Sequence, residues 1–381
     1  MSSSRGRGAF ALLVRVAVFM LLFGGVAEVW FRTVMPACEV PRRYQDGSDL
    51  IERFDPASKR HGFSSFGRLC RDPVEWRINN AGWLSAQDYS AGDGQQHQLV
   101  ALFGDSYVEG LMTIPTEHVD TALMEILDGS VDCYSFGSSG WYLEQYVAVA
   151  QYVRDMYQPD VLVFVVGAED VKDSVRDYGV LSPTWFQITR SGKSYATVSP
   201  NELYTGTLKG TLASRSQLLN YLRYNANVSI PGMHGRSVEA PQDQSASGAE
   251  QSDAGAVGTP SLATRELLAP ARYLVKRLCQ EHPGVPVVFL ANGPRYVPLE
   301  ELSHVRMNPG IEAISTACRS QPQCSFIDLT PVFSRDWAYN HQRFEAVDGG
   351  HWNAYGNRLV AQTLADYLVS REFIDATSGN K

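Results

Sequence analysis

Short, unbroken apolar runs that alternate with amphipathic stretches constrain the fold of this chain more than any other feature. From Gln98 onward, each run is largely apolar, as in the Val-Leu-Val-Phe-Val-Val of residues 161–166, and is separated from the next by a helical pattern. Such runs are typical of strands buried on both faces, and intervening helices supply the crossovers that parallel pairing requires. The sequence therefore predicts an α/β fold, a three-layer α/β/α sandwich around a mostly parallel five-stranded sheet. The predicted strands are Leu99–Phe103, Val131–Phe136, Val161–Val166, Val285–Leu290 and Ser325–Leu329.

Helical patterns lie between and after these strands. One is expected at Glu117–Leu127, with Thr116 as its N-cap residue, because a threonine there precedes the first apolar repeat. The other helices are predicted at Tyr142–Tyr157, Thr264–Glu281, Pro309–Cys318 and Asn353–Arg371.

The first 32 residues predict a membrane-targeting segment. Arg5 and Arg7 precede an apolar run from Gly8 to Ala27, and a helix needs about 20 apolar residues to cross a bilayer. By the positive-inside rule, the N-terminus stays in the cytoplasm and the rest of the chain is exported. The alternative is a cleaved signal peptide with a small-residue cleavage site at residues 25–27.

Composition divides the remaining chain. Residues 33–97 are irregular and punctuated by prolines, and we expect an N-terminal extension packed on a main domain of residues 98–375. Within that domain, residues 235–262 are predicted to be a disordered insertion, because the stretch from Gly235 to Thr259 is rich in small polar residues and has almost no large apolar side chain.

Charge and cysteine content exclude some classes of function. The chain carries 33 Lys and Arg against 41 Asp and Glu, a net charge of −8, and it has no basic run apart from scattered arginines near the N-terminus, so binding to a nucleic-acid duplex is not expected. Six cysteines suit an oxidising compartment. Cys318 and Cys324 could close a short loop, and Cys38 and Cys70 could form a second bridge. No Cys-x-x-Cys pair occurs, so the sequence predicts no metal site.

Two motifs carry residues suited to nucleophilic catalysis. Ser106 follows the first predicted strand in the sequence Gly-Asp-Ser, and Asp348 precedes His351 by three residues, just before the last helix. Functional crevices of parallel α/β sheets lie beyond the carboxyl ends of the strands, where both motifs fall. An aspartate so placed can accept the Nδ1 proton and leave Nε2 for the serine. We therefore expect Ser106 as nucleophile and His351 as base, oriented by Asp348. The ordinary alternatives are a helix-capping turn and a surface loop.

Together these motifs resemble the first and last blocks of the SGNH/GDSL hydrolase family, in its membrane-anchored bacterial type, over residues 98–371. Residues 135–140 and 167–170 stand where the family has its two middle blocks, and residues 77–83 resemble a segment that precedes the catalytic domain in anchored members. The resemblance implies an SGNH/flavodoxin-like fold. It also implies an oxyanion hole formed by the N–H groups of Ser106 and Gly140 and by the residue at the position of Glu169.

Two residues depart from the family pattern. Ser135 replaces an asparagine, and Glu169 stands at the asparagine whose amide is the third oxyanion donor. An ionised carboxylate has acceptors and no donor, so it would oppose the developing negative charge. Either Glu169 is protonated, or it points away while another donor serves, or the enzyme is weak or inactive.

The resemblance implies an extracytoplasmic serine esterase or O-acyltransferase that works through an acyl-serine and needs no metal or organic cofactor. Anchored family members suggest acetylated cell-surface glycans as substrates, with a membrane as the partner of the N-terminal helix. The alternative is a catalytically weak or inactive scaffold protein with the SGNH fold, in an envelope polysaccharide assembly. Four aromatic residues beside the motifs could stack on a sugar ring, although packing is their ordinary role: Tyr107, Trp141, Tyr142 and Trp352.

Overall fold

The computed structural model describes residues 3–92, 97–178, 181–203, 215–228 and 262–375. The chain divides into two compact units. The described residues of the first unit are 3–40, 62–75 and 215–228. Those of the second unit are 41–61, 76–92, 97–178, 181–203 and 262–375. The predicted disordered insertion lies outside the described residues, except that Leu262 begins a helix.

The strands of the described residues are numbered in chain order. They are β1 Arg43–Gln45, β2 Glu52–Phe54, β3 His61–Phe66, β4 Arg71–Arg77, β5 Gln98–Gly104, β6 Val131–Gly137, β7 Val161–Val166, β8 Gln187–Ser191, β9 Ser194–Val198, β10 Val287–Ala291 and β11 Cys324–Asp328. The α-helices are Ser3–Thr33, Ser106–Glu109, Val119–Ile126, Leu143–Tyr157, Asp170–Ser174, Gln217–Asn220, Leu262–Glu281, Pro309–Cys318, Thr330–Asn340 and Ala354–Ser370. Shorter turns of helix occur at Pro115–Glu117, Tyr221–Asn225 and Leu299–His304.

The central sheet has the order β11-β10-β7-β5-β6, and every pairing in it is parallel. Helices cover both faces, which confirms the predicted α/β sandwich. One face packs against Leu143–Tyr157, Leu262–Glu281 and Pro309–Cys318. The other packs against Val119–Ile126, Thr330–Asn340 and Ala354–Ser370. Chain order reverses between β5 and β7, the place where α/β sheets open a crevice at their carboxyl edge.

A row of phenylalanines crosses one face of this sheet, with one residue from each strand in register. Its members are Phe136, Phe103, Phe164, Phe289 and Phe326. The ring centroids of the first four are separated by 5.5, 4.8 and 5.2 Å, and all four are fully buried. A slip of one residue would turn a strand's ring to the opposite face, so the row favours a single register. The strands consequently end level at their carboxyl edge.

The secondary structure differs from the prediction in several places. Residues 33–97, expected to be irregular, contain β1 to β4, and β8 and β9 were not predicted. Thr116 is not the N-cap residue, because Pro115–Glu117 forms a separate turn and the helix Val119–Ile126 begins after His118. The imidazole Nε2 of His118 lies 2.9 Å from the carbonyl of Gly110, which holds the chain in an extended conformation at that point. The prediction also lacks the helix Thr330–Asn340, which directly follows β11.

The N-terminal helix of the first unit contains a segment, Phe10–Thr33, that is long and apolar enough to cross a membrane. Its last turns contact residues of the same unit. The Glu28 carboxylate accepts hydrogen bonds from the Ser216 hydroxyl at 2.8 Å and from the Gln217 N–H at 2.9 Å. Phe31 stacks on Tyr221 with ring centroids 4.0 Å apart. The helix is therefore tied to a distant part of the sequence at its C-terminal end.

All six cysteines are free thiols in the structure, so neither predicted bridge is present in it. The Sγ atoms of Cys318 and Cys324 lie 2.6 Å apart, and Cys38 and Cys70 are both buried. The two pairings remain predictions.

A buried histidine predicts how the stability of the second unit depends on pH. His282 is 1 % exposed, and neither ring nitrogen has a partner among the described residues. Burial, followed by the nearby charge of Arg154, lowers the pKa of His282 to about 4, with Asp155 opposing the shift. The unfolded chain therefore binds a proton that the folded chain does not. The free energy of unfolding should fall by about 2 to 3 kcal/mol as pH drops from about 6.5 to about 4.

Urea unfolding at pH 7 and pH 4.5 measures this effect. In His282→Leu the pH-dependent loss should shrink, whereas it should persist in the matched variant His304→Gln, whose imidazole is exposed. An equal loss in wild type and His282→Leu would contradict the assignment.

Candidate functional site

The chain turns sharply at Asp105 and Ser106, directly after β5 ends at Gly104. The Asp105 carboxylate accepts a hydrogen bond from the Tyr107 N–H at 3.0 Å. This bond caps the helix Ser106–Glu109, which begins at the next residue. Gly104 makes this turn possible, because a Cβ atom there would lie 2.5 Å from a methyl carbon of Val108. Ser106 is thus the second residue beyond the carboxyl end of β5.

The structure brings Ser106, His351 and Asp348 together. Nε2 of His351 lies 2.6 Å from Oγ of Ser106, and Nδ1 of His351 is hydrogen-bonded to the Asp348 carboxylate. When the Nδ1–H of His351 donates a hydrogen bond to the carboxylate, Nε2 carries no proton and can accept the proton of the serine. This arrangement is that of a nucleophile, a general base and a group that orients the base.

The surroundings of Asp348 favour its ionised form. Burial alone would raise its pKa, but the hydrogen bond and charge of His351 and the N–H groups of Gly350 and His351, each 3.2 Å from Oδ1, lower it below the usual value. An ionised Asp348 fixes the tautomer of the imidazole and can stabilise the imidazolium that forms when the base accepts a proton.

His351 lies on a loop of residues 344–353, here called the histidine loop. Glu345 and Trp352 form an antiparallel bridge across its base, and the Ala346 N–H donates to the His351 carbonyl at 2.9 Å. Asn353 then caps the last helix through its side chain. These hydrogen bonds consequently close the base of the histidine loop.

Arg295 and Tyr107 hold the histidine loop from the side of Ser106. Nη2 of Arg295 donates to the Gly350 carbonyl at 2.6 Å and to the Tyr107 hydroxyl at 2.8 Å, while that hydroxyl donates to the same carbonyl at 2.9 Å. Another nitrogen of Arg295 pairs with Glu345 at 3.1 Å. Arg295 stands in no motif and was not predicted from the sequence. The feature that could have indicated it is its position, four residues after the end of β10 at the same edge of the sheet.

Gly140 lies on a neighbouring loop, residues Ser138–Gly140, here called the oxyanion loop. Gly104 of β5 is in register with Gly137 of β6, so this loop follows β6 at the same level as Ser106 follows β5. Gly140 has φ +82°, a conformation that favours glycine. Within the described residues, neither the Ser106 N–H nor the Gly140 N–H donates to another protein group. Both remain available to a ligand oxygen.

Glu169 has a different environment from the other predicted site residues. Its side chain is 52 % exposed and forms an ion pair with Lys172 at 2.8 Å. Asp170, by contrast, is buried and accepts the Gly167 N–H at 2.9 Å, which holds the turn after β7. The exposed ion pair favours the interpretation in which Glu169 points away from the reaction and contributes no donor.

Glu169→Gln tests that interpretation. If the Glu169 carboxyl points away from the reaction and supplies no oxyanion donor, the substitution should change the initial rate on a small acetyl ester by less than about threefold. If position 169 does face the oxyanion, the new amide should instead raise kcat by about 10²-fold. Glu266→Gln, at an exposed position on the helix Leu262–Glu281, is the matched control.

The aromatic residues beside the motifs pack rather than form a sugar platform. Trp141, Tyr142 and Trp352 are 2 to 4 % exposed and belong to the core. Tyr107 lies with its ring centroid 5.0 Å from that of His351 and uses its hydroxyl to hold the histidine loop. Among the described residues, no group of three His, Cys, Asp or Glu side chains is arranged to hold a metal ion.

Comparisons with known proteins add little to this geometry. No family model matches the chain, and no curated protein matches it. A solved family 3 carbohydrate esterase of Clostridium thermocellum is 13 % identical with a TM-score of 0.37, over 74 % of this chain and 100 % of that one. A family 2 carbohydrate esterase of Corynascus thermopiles is 10 % identical with a TM-score of 0.36, over 76 % and 69 %. A salicylyl-acyltransferase from a tetracycline biosynthetic pathway is 12 % identical with a TM-score of 0.38, over 74 % and 56 %.

Proposed function

We propose that this protein is a serine esterase or O-acyltransferase of the SGNH type, with Ser106 as nucleophile. The observation that carries the proposal is the continuous contact from the Ser106 hydroxyl through the His351 imidazole to the Asp348 carboxylate. The four-block resemblance of the sequence supports the same assignment.

The reaction follows from the geometry. His351 Nε2 accepts the Ser106 proton as Oγ attacks the carbonyl carbon of an ester, and the N–H groups of Ser106 and Gly140 bind the oxygen that becomes negative. The tetrahedral intermediate collapses to an acyl-serine, and His351 returns its proton to the departing alcohol. Water or an acceptor hydroxyl then attacks the acyl-serine with His351 again as base, which restores Ser106.

Two backbone donors suffice for activity in this proposal. Loss of one oxyanion donor costs about 10² to 10³ in kcat where it has been measured, which is a fraction of the total acceleration of such enzymes. An enzyme in which Glu169 contributes no donor should therefore be slower than a three-donor relative and still active.

We place the reaction outside the cytoplasm, on acetylated cell-surface glycans. The substrate class rests on the resemblance to anchored SGNH proteins, and the location rests on Arg5 and Arg7, which precede the apolar run of the N-terminal helix. The helix is continuous through residues 25–27, the predicted cleavage site, and Glu28 and Phe31 are tied to Ser216 and Tyr221. These contacts support a retained anchor. N-terminal sequencing of protein purified from membranes should find no chain beginning at Glu28.

Labelling by a fluorophosphonate probe tests the enzyme assignment. The full chain in detergent at neutral pH should form a covalent adduct, and Ser106→Ala should form none. Ser320→Ala is the matched control, because this exposed serine precedes β11 at the opposite edge of the sheet. Absence of a Ser106-dependent adduct would overturn the proposal in favour of a scaffold. An adduct without hydrolysis of a small acetyl ester would assign the protein to acyl transfer.

A further inference from the structure

A buried carboxylate lies between the nucleophile and the oxyanion loop. Glu109 is the last residue of the short helix that begins at Ser106, and its side chain is fully buried. One carboxylate oxygen accepts a hydrogen bond from the Ser139 hydroxyl, and the other pairs with Nη2 of Arg43 at 2.8 Å. The helix of the nucleophile and the loop of Gly140 are therefore joined through one side chain.

Arg43 extends this connection into the N-terminal extension. Its side chain is 14 % exposed and also pairs through Nη1 with Glu52 at 2.9 Å. The same nitrogen lies 3.4 Å from the carbonyl of Ser139. One cation thus contacts two buried carboxylates and the backbone of the oxyanion loop.

Glu52 connects the network to the other side of the loop. Its second oxygen accepts the indole N–H of Trp185 at 3.2 Å. The Trp185 ring lies against Gly140, since a Cβ atom on that glycine would be 3.2 Å from the ring. Ser139 and Gly140 are consequently held from two directions by groups that belong to one network.

Such a network is costly to bury. Each buried ion loses several kcal/mol of hydration, and apolar residues of the same size often stabilise a fold as well or better. A network of this kind is more readily explained by the position it fixes than by the stability it contributes. The position fixed here is that of a backbone N–H, and a displacement of about 1 Å in a catalytic group can cost about 10² in rate.

We propose that Arg43 and Glu109 are positioning residues that hold the oxyanion loop in its reactive place, so that the N-terminal extension completes the site. The inference rests on the proposed function and adds a role for Arg43, which lies outside the main domain. Neither side chain contacts the Ser106 hydroxyl or the His351 ring, and both act through Ser139 and Gly140.

Arg43→Gln tests this role against a matched control in the same segment. Arg53 is also buried, at 8 % exposure, where it pairs with Asp49 at 2.5 Å and with Tyr152 at 2.7 Å, and it makes no contact with the oxyanion loop. We expect Arg43→Gln to lower kcat for a small acetyl ester by about 10- to 10²-fold with KM changed less than about twofold. Arg53→Gln should lower the midpoint of urea unfolding to a similar degree and leave kcat within about twofold.

Two conservative variants keep the test decisive if Arg43→Gln does not fold. Ser139→Ala removes one hydroxyl and should lower kcat by about fivefold to tenfold with the fold intact. Arg43→Lys restores the charge and should recover part of the loss caused by Arg43→Gln. If Ser139→Ala retains wild-type kcat, or if Arg43→Gln and Arg53→Gln lower kcat equally, the inference is wrong. Failure of the wild type to form the Ser106 adduct would instead overturn the proposed function itself.

Discussion

Asp348→Asn is expected to lower kcat for ester cleavage by about 10⁴-fold, with little change in KM. The asparagine fits the same space, but its amide can donate to Nδ1 and so favours the imidazole tautomer with the proton on Nε2. That tautomer cannot accept the Ser106 proton. The loss would therefore arise from a misplaced proton rather than from a displaced side chain.

Initial rates on a small acetyl ester, together with the rate of fluorophosphonate labelling, measure this effect. Asp366→Asn is the matched control, because Asp366 is an exposed aspartate on the last helix and should have no influence on either rate. Retention of more than about a tenth of the wild-type kcat in Asp348→Asn would mean that Asp348 does not orient the base.

Phe164→Ala should reduce the free energy of unfolding by about 3 to 5 kcal/mol. Phe164 occupies the middle of the phenylalanine row, where its ring lies 4.8 Å from that of Phe103 and 5.2 Å from that of Phe289. Truncation leaves a cavity that rigid strands on both sides cannot close, and it also removes two aromatic contacts.

Urea unfolding followed by circular dichroism measures this loss. Tyr339→Ala removes an aromatic ring that is 81 % exposed and should change stability by less than about 0.5 kcal/mol. If Phe164→Ala is too unstable to purify, Phe164→Leu keeps most of the volume and should lose less. Equal stability of Phe164→Ala and wild type would show that the phenylalanine row does not stabilise the core.

The fold was predictable because its signals are local. A strand such as Val161–Val166 is buried on both faces, so its own residues are continuously apolar and reveal it without reference to the rest of the chain. The helix boundary at His118 was not predictable in this way, because it depends on contacts of the imidazole with backbone carbonyls across a turn. Thr116 has the better side chain for a cap but lies within the preceding turn.

The candidate site was predictable only in part, for the same physical reason. Ser106, Asp348 and His351 stand in short motifs whose spacing has chemical meaning. Arg295 and Arg43 stand in no motif, and their importance comes from contacts with residues far away in sequence. Charged side chains that hold loops leave no periodic pattern in the sequence, so only the three-dimensional structure shows their contacts.

The second unit includes residues 41–61 and 76–92 together with the sheet, and this has a practical consequence for preparing a soluble protein. A truncation starting at Gln98 would follow the change in sequence pattern, but it would strip Ile51, Trp83 and Tyr89 from the hydrophobic interior. The truncated protein should expose apolar surface and aggregate. A polypeptide starting at Pro41 keeps those side chains, but it removes residues 3–40 from the first unit and leaves residues 62–75 and 215–228 of that unit without them. The full chain in detergent is therefore the form that we would choose for crystallisation.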